Sequence, residues 1–205
     1  MLTIPAFNKK YFDQFKTALE NIQVTDADKS SISFDNAIEK IVSALKIVQR
    51  EEKKIMMVGN GGSAGICSHM AVDYWKNGKI KATAFNDPSL LTCISNDYSY
   101  AQVFSVPIEM FANQGDVVYC ISSSGKSENI LKAAQSAREK GCTIITFSGF
   151  DKENPLRGLG AFNFYVAANA YGYVEILHNF IIHCILDSMM FCNDRVDIFN
   201  KNQTL

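Results

Sequence analysis

Hydrophobic residues fall along the chain in two alternating patterns. Short segments at 55–58, 81–85, 117–121, 143–147 and 162–166 are rich in apolar residues without regular polar alternation. Such runs suit strands buried on both faces. Between them apolar positions recur at helical spacing. The clearest case follows Ala37, with Ile38, Ile41, Val42, Leu45 and Val48 on one face. Helices are also predicted over 9–23, where Tyr11, Phe12, Phe15 and Leu19 share a side, and over 63–76, 128–140 and 173–191. Asp87-Pro88-Ser89 starts a short helix, because proline is tolerated in a first turn. Another helix is expected over 98–112, kinked or broken at Pro107. The polar stretch 25–35 reads as a break, with Asp35 capping the next helix. Residues 148–161 hold three glycines and a proline and read as a loop. The polar tail after Asn193 is expected to fray.

Strands alternating with helices predict a three-layer α/β fold, a five-stranded parallel sheet flanked by helices. The chain reads as a single domain, 1–205, with an N-terminal helical extension over 1–52 and an α/β core over 53–192. Two leading helices exceed what such a sheet needs, so they are expected to pack against another subunit.

Composition narrows the classes. The 205 residues are 47% apolar and 20% charged, enough for a full core and unlike a disordered chain. A net charge of −1 without a long basic stripe gives no reason to expect nucleic acid. No apolar run approaches the ~20 residues of a membrane span, and Met1-Leu2-Thr3-Ile4-Pro5 lacks the regions of a signal peptide. No membrane partner and a cytoplasmic location are expected. Six cysteines occur without a CxxC pair, several beside apolar runs, where a free thiol acts as a small hydrophobe.

Two loops follow predicted strands with chemistry suited to an anion. Val58-Gly59-Asn60-Gly61-Gly62-Ser63-Ala64 places three glycines in four residues between a strand and a helix. Backbone N–H groups at a helix start point outward, and glycines let a ligand come close. The second loop is Ser122-Ser123-Ser124-Gly125-Lys126-Ser127, again before a helix. Hydroxyls and N–H groups together suit a phosphate monoester. Each loop alone is equally explained as a turn and cap; two in one sheet favour binding. Nucleotide readings compete. Gly59-x-Gly61-x-x-Ala64 fits a loosened dinucleotide pattern with Asp87 as ribose acid. Gly125-Lys126-Ser127 ends like a Walker sequence, but Cys120 stands at its first glycine.

His69 and Asp73 are four residues apart, on one helix face. They suit a shared metal ion or proton, although on spacing alone a surface ion pair explains them better. The last helix alters that balance, because Glu175, His178 and His183 lie in the largely apolar run Ile176-Leu177-His178-Asn179-Phe180-Ile181-Ile182-His183. Buried polar groups need partners. Glu175 and His183 differ by about 12 Å of rise and roughly 80° around the axis. They reach one site by leaning toward it, or if Glu175 precedes regular helix. His178 lies about 140° from His183 and reads as a core or interface histidine. Asn96-Asp97-Tyr98 either caps a helix or points a carboxylate at the site.

These motifs, in this order, resemble the sugar isomerase (SIS) domain, and within it the bacterial phosphoheptose isomerase family. The residues that carry the resemblance are Gly59 to Ala64, His69, Ser95-Asn96-Asp97-Tyr98, Gly115-Asp116-Val117, Ser122 to Ser127, and Glu175, His178 and His183, spanning about residues 35–192. The resemblance implies a flavodoxin-like sheet, a homotetramer assembled through helices, and conversion of sedoheptulose 7-phosphate to D-glycero-D-manno-heptose 7-phosphate through an enediol(ate). It implies that Asn60, Gly61, Ser63, Asn96, Asp97, Ser122, Ser123, Ser124 and Ser127 bind the sugar phosphate. It implies zinc held by His69, Asp73, Glu175 and His183, with Asp73 as base, Glu175 as second choice, and His183 as acid/base partner. Asp73 is one methylene shorter than the family's glutamate. Glu175 is charged where the family has glutamine, and Gly172 stands where these isomerases usually have aspartate. The alternatives are a non-catalytic phosphosugar-binding or regulatory SIS protein and an isomerase of a different phosphosugar.

Overall fold

Each apolar run becomes a strand, and in the three central ones alternate residues enter two different cores. The computed structural model describes residues 3–193; the tail expected to fray lies outside them. The strands are β1 (Gln23–Asp26), β2 (Ser31–Ile32), β3 (Lys54–Gly59), β4 (Lys81–Ala84), β5 (Val117–Ser122), β6 (Thr143–Gly149) and β7 (Phe162–Val166). The α-helices are α1 (Ile4–Glu20), α2 (Phe34–Arg50), α3 (Gly62–Lys76), α4 (Pro88–Asp97), α5 (Ser105–Phe111), α6 (Glu128–Glu139) and α7 (Tyr171–Cys192). On β3, Ile55 and Met57 join the core under α2, α3 and α7, while Met56 and Val58 join the core under α5 and α6. Burial on both faces explains why these strands show no polar alternation.

One sheet runs in the order β2-β1-β7-β6-β5-β3-β4. The five strands from β7 to β4 are parallel, as expected. Taken in chain order these five lie 2-1-3-4-5, the flavodoxin-like arrangement. β1 and β2 add an antiparallel ribbon to the β7 edge. The extension over 1–52 is therefore not purely helical. Val24 hides the apolar signal of β1 among polar neighbours: it alone of the ribbon is fully buried. The sheet order reverses between β3 and β5, where the loops of β3 and β5 part. That crevice, beyond the strands' carboxyl ends, is where such sheets bind ligands.

Several boundaries differ from expectation for local reasons. Ser33, not Asp35, caps α2, its Oγ accepting from Asn36 N–H. Asp35 sits in the first turn, where its charge suits the helix dipole. The helix expected over 98–112 is instead a 3-10 turn at Tyr100–Gln102 followed by α5. Pro107 lies in the first turn of α5, where its missing N–H costs no hydrogen bond. α7 begins before Glu175, so Glu175 lies in regular helix. One composition reading also changes. α7 is long and apolar enough to cross a bilayer, but half of its most apolar stretch is buried inside the protein.

Candidate active site

The two anion loops meet at the crevice. Asn60, Gly61, Gly62 and Ser63 line one side of a cavity of about 250 Å³; Ser122, Ser123, Ser124 and Ser127 line the other. Their hydroxyls are not spent on helix capping. Ser127 is the N-cap residue of α6 yet makes no capping bond, and its Oγ lies 3.4 Å from that of Ser122. Ser123 is buried, and its Oγ has no hydrogen-bond partner among the described residues. A buried hydroxyl with no protein partner, on a residue that borders a cavity, is free to bind water or a ligand. Gly125 has φ +61°, and a side chain there would strike the Asn154 amide, so the loop's turn requires glycine.

The residues on which the nucleotide readings rely are engaged elsewhere. The Asp87 carboxylate caps α4, accepting from Ser89 and Leu90 N–H at 2.9 and 3.1 Å. Lys126 pairs with Asp151 at 2.8 Å, and that bond holds the Asp151 carboxyl below its ordinary range.

An asparagine pair ties the loops together. Asn60 and Asn129 each donate to the other's Oδ1 at 2.9 Å, and Tyr100 Oη donates to Asn60 Oδ1 at 2.9 Å. Asn129 and Tyr100 escaped the sequence reading. Asn129 carried one signal, a polar residue two places after the serine loop. Tyr100 carried none, since the contact spans 40 positions.

His69, Asp73 and His183 come together between α3 and α7. Each offers a ligand atom, and the three atoms lie within 4.8 Å of one another. His69 Nε2 stands 3.4 Å from Asp73 Oδ2, and the two imidazole rings are 5.4 Å apart. Donors on a tetrahedral ion with bonds of ~2.1 Å stand about 3.4 Å apart. Two nitrogens, one carboxylate and an open side therefore fit a metal ion. Asp187, one turn beyond His183, has its carboxyl raised by burial, opposed by His183 and reinforced by Asp73.

Glu175 is not in that cluster. It borders the serine-lined cavity and also a second one of about 350 Å³, shared with His69 and Asn179. Its carboxylate lies against Gly62, where any side chain would collide with it. Tyr171, one turn earlier and also missed, lines the first cavity. Asn96 and Asp97 end α4, exposed and hydrogen-bonded to each other at 2.9 Å, and border neither cavity. His178 is a core histidine, as expected. Its Nε2–H donates to Ser148 O at 3.1 Å, and burial lowers its pKa to about 4.

The SIS domain model matches residues 10–149. The chain belongs to the SIS domain family. It is similar to phosphoheptose isomerase from Helicobacter hepaticus, 38% identical over 157 residues, covering 74% of this chain and 80% of that one. With the phosphoheptose isomerase of Shewanella denitrificans it is 32% identical over 186 residues, 86% of this chain and 92% of the other. Among solved structures, phosphoheptose isomerase from Neisseria gonorrhoeae superposes with a TM-score of 0.76 at 26% identity, covering 91% of this chain and 98% of that chain. In this SIS domain the serine loop, the glycine loop and α7 line one crevice.

Proposed function

We propose that this SIS protein is an aldose–ketose isomerase that converts sedoheptulose 7-phosphate to D-glycero-D-manno-heptose 7-phosphate. One observation carries the reading: Glu175 borders both the serine-lined cavity and the cavity that holds His69. A phosphate seated among the serines would lay its carbon chain past a carboxylate and toward a histidine cluster. The curated relatives of that name support the substrate.

The division of labour follows from placement. Ser122, Ser123, Ser124, Ser127 and the N–H groups opening α3 hold the phosphate, so binding energy from a remote group positions the reacting carbons. Glu175 removes the proton beside the carbonyl and returns it to the neighbouring carbon through an enediol(ate). The resemblance gives this task first to Asp73, but Asp73 borders neither cavity while Glu175 borders both. His183 moves a proton between the two sugar oxygens, the part the resemblance gives it, through the ring nitrogen that does not hold the metal. His69, Asp73 and His183 would hold zinc, a Lewis acid for the carbonyl.

A homotetramer, in the cytoplasm, completes the reading. An apolar groove between α2 and α7, lined by Ile38, Val42, Phe180 and Phe191, also holds His183. A second copy seated there would dehydrate the cluster and strengthen its electrostatics. The test incubates zinc-supplemented protein with sedoheptulose 7-phosphate and follows the aldose by NMR, with His183→Ala alongside. Turnover lost in the variant supports the reading. Binding without turnover would replace it with a phosphosugar-binding module.

A further inference from the structure

Between the proposed base and the metal cluster, α7 carries one more polar residue. Glu175, Asn179 and His183 follow each other at intervals of four. Each step is about 6 Å of rise and about 40° of turn, so Asn179 stands midway between the other two. It borders the second cavity together with His69 and Glu175. Its neighbours on the helix include Ile176, Phe180, Ile181 and Ile182, so nothing in the local pattern calls for an amide. Asn179 Oδ1 is buried and has no hydrogen-bond partner among the described residues. An unpaired buried amide oxygen is destabilising, and a leucine, with the same branched skeleton, would occupy the site without that penalty.

From this placement we infer that Asn179 is a substrate-binding residue that hydrogen-bonds a hydroxyl of the sugar chain, between the phosphate cradle and the His69 cluster. The inference rests on the sugar-phosphate reading above and deepens it. A hydroxyl both donates and accepts, so it pairs with either end of the amide. The terminal torsion of asparagine is soft, so the amide can turn either end to the cavity. A metal ion would accept only the oxygen. The phosphate sits in the other cavity, so Asn179 selects on the carbon chain and not on the phosphate.

The test compares wild type with Asn179→Leu and Asn179→Ala. Four quantities are measured: kcat/KM for sedoheptulose 7-phosphate, inhibition by inorganic phosphate, melting temperature and zinc content. Loss of one neutral hydrogen bond predicts a kcat/KM about tenfold lower in both variants. Phosphate inhibition should stay within about twofold, and zinc content should not change. The leucine variant should melt about 2–4 °C higher, as a removed unsatisfied polar atom implies. Asn179→Ala carries the kinetic test if the leucine variant does not fold. An unchanged kcat/KM overturns the inference. So does an equal loss of phosphate inhibition, which would mean general damage, or a fall in zinc content, which would make Asn179 a metal ligand. Wild type that does not turn over the sugar overturns the functional reading, and this inference with it; turnover by wild type with normal kinetics in both variants overturns the inference alone.

Discussion

The serine-lined cradle and the face of α7 make opposite use of charge. The cradle has no lysine, arginine or histidine among its lining residues, and Glu175 is its one carboxylate. It offers hydroxyls and backbone N–H groups, which bind an anion without a cationic side chain. Across the seam, His69, Asp73 and His183 are titratable and partly open, the side chain of His69 being 56% exposed. Fixed dipoles suit a group that is only held, and titratable groups suit one that must gain and lose protons. The two regions meet where the Glu175 carboxylate lies against Gly62, both residues bordering both cavities.

Breaking the titratable side should cost most. Asp73→Asn, or removal of metal by a chelator, is expected to lower kcat by about 10²–10⁴-fold, with zinc lost from the protein. Inorganic phosphate should still inhibit the residual activity. If phosphate binding disappears with the metal, the two regions are not separable as described.

The junction comes next. Gly62→Ala would push the Glu175 carboxylate aside, and a base misplaced by about 1 Å costs about 100-fold in rate. Its kcat should fall with little change in phosphate inhibition. Damage to the cradle should have the reverse signature: Ser127→Ala is expected to raise KM about tenfold with a smaller effect on kcat. Equal loss of kcat in both variants would erase the contrast.

The smallest effect is on stability, and concerns the histidine that stays outside the chemistry. Folding holds His178 neutral down to about pH 4 against an ordinary pKa of 6.5. The unfolded chain takes up that proton first, so stability falls as pH drops from 6.5 to about 4 and no further below. The loss is on the order of 3 kcal/mol. Urea midpoints across this range should fall more steeply for wild type than for His178→Gln. Parallel slopes would contradict the assignment.

The two regions also differ in how far they could be read from the sequence. The cradle loops are contiguous and follow apolar strands, so a few neighbouring residues specify them. His69 with Asp73 was legible as an i, i+4 pair, but only tertiary packing decides that His183 joins them and Glu175 does not. The helix pitch already separated Glu175 from His183 by about 80°; the structure resolves this by giving each a different neighbour on α3. Asn129, Tyr100 and Asn179 escaped because an isolated amide or phenol has no periodicity to betray it. The ribbon of β1 and β2 escaped for a related reason: an edge pair needs only one buried residue, Val24, which is too little to outweigh its polar flanks.

The central claim is that a phosphate cradle and the Glu175 carboxylate act on one sugar. Turnover of sedoheptulose 7-phosphate by Glu175→Gln, measured beside inhibition by inorganic phosphate, tests it most directly. The account predicts kcat lower by about 10³-fold with phosphate inhibition retained. A Glu175→Gln protein that isomerises the sugar as fast as wild type would contradict it.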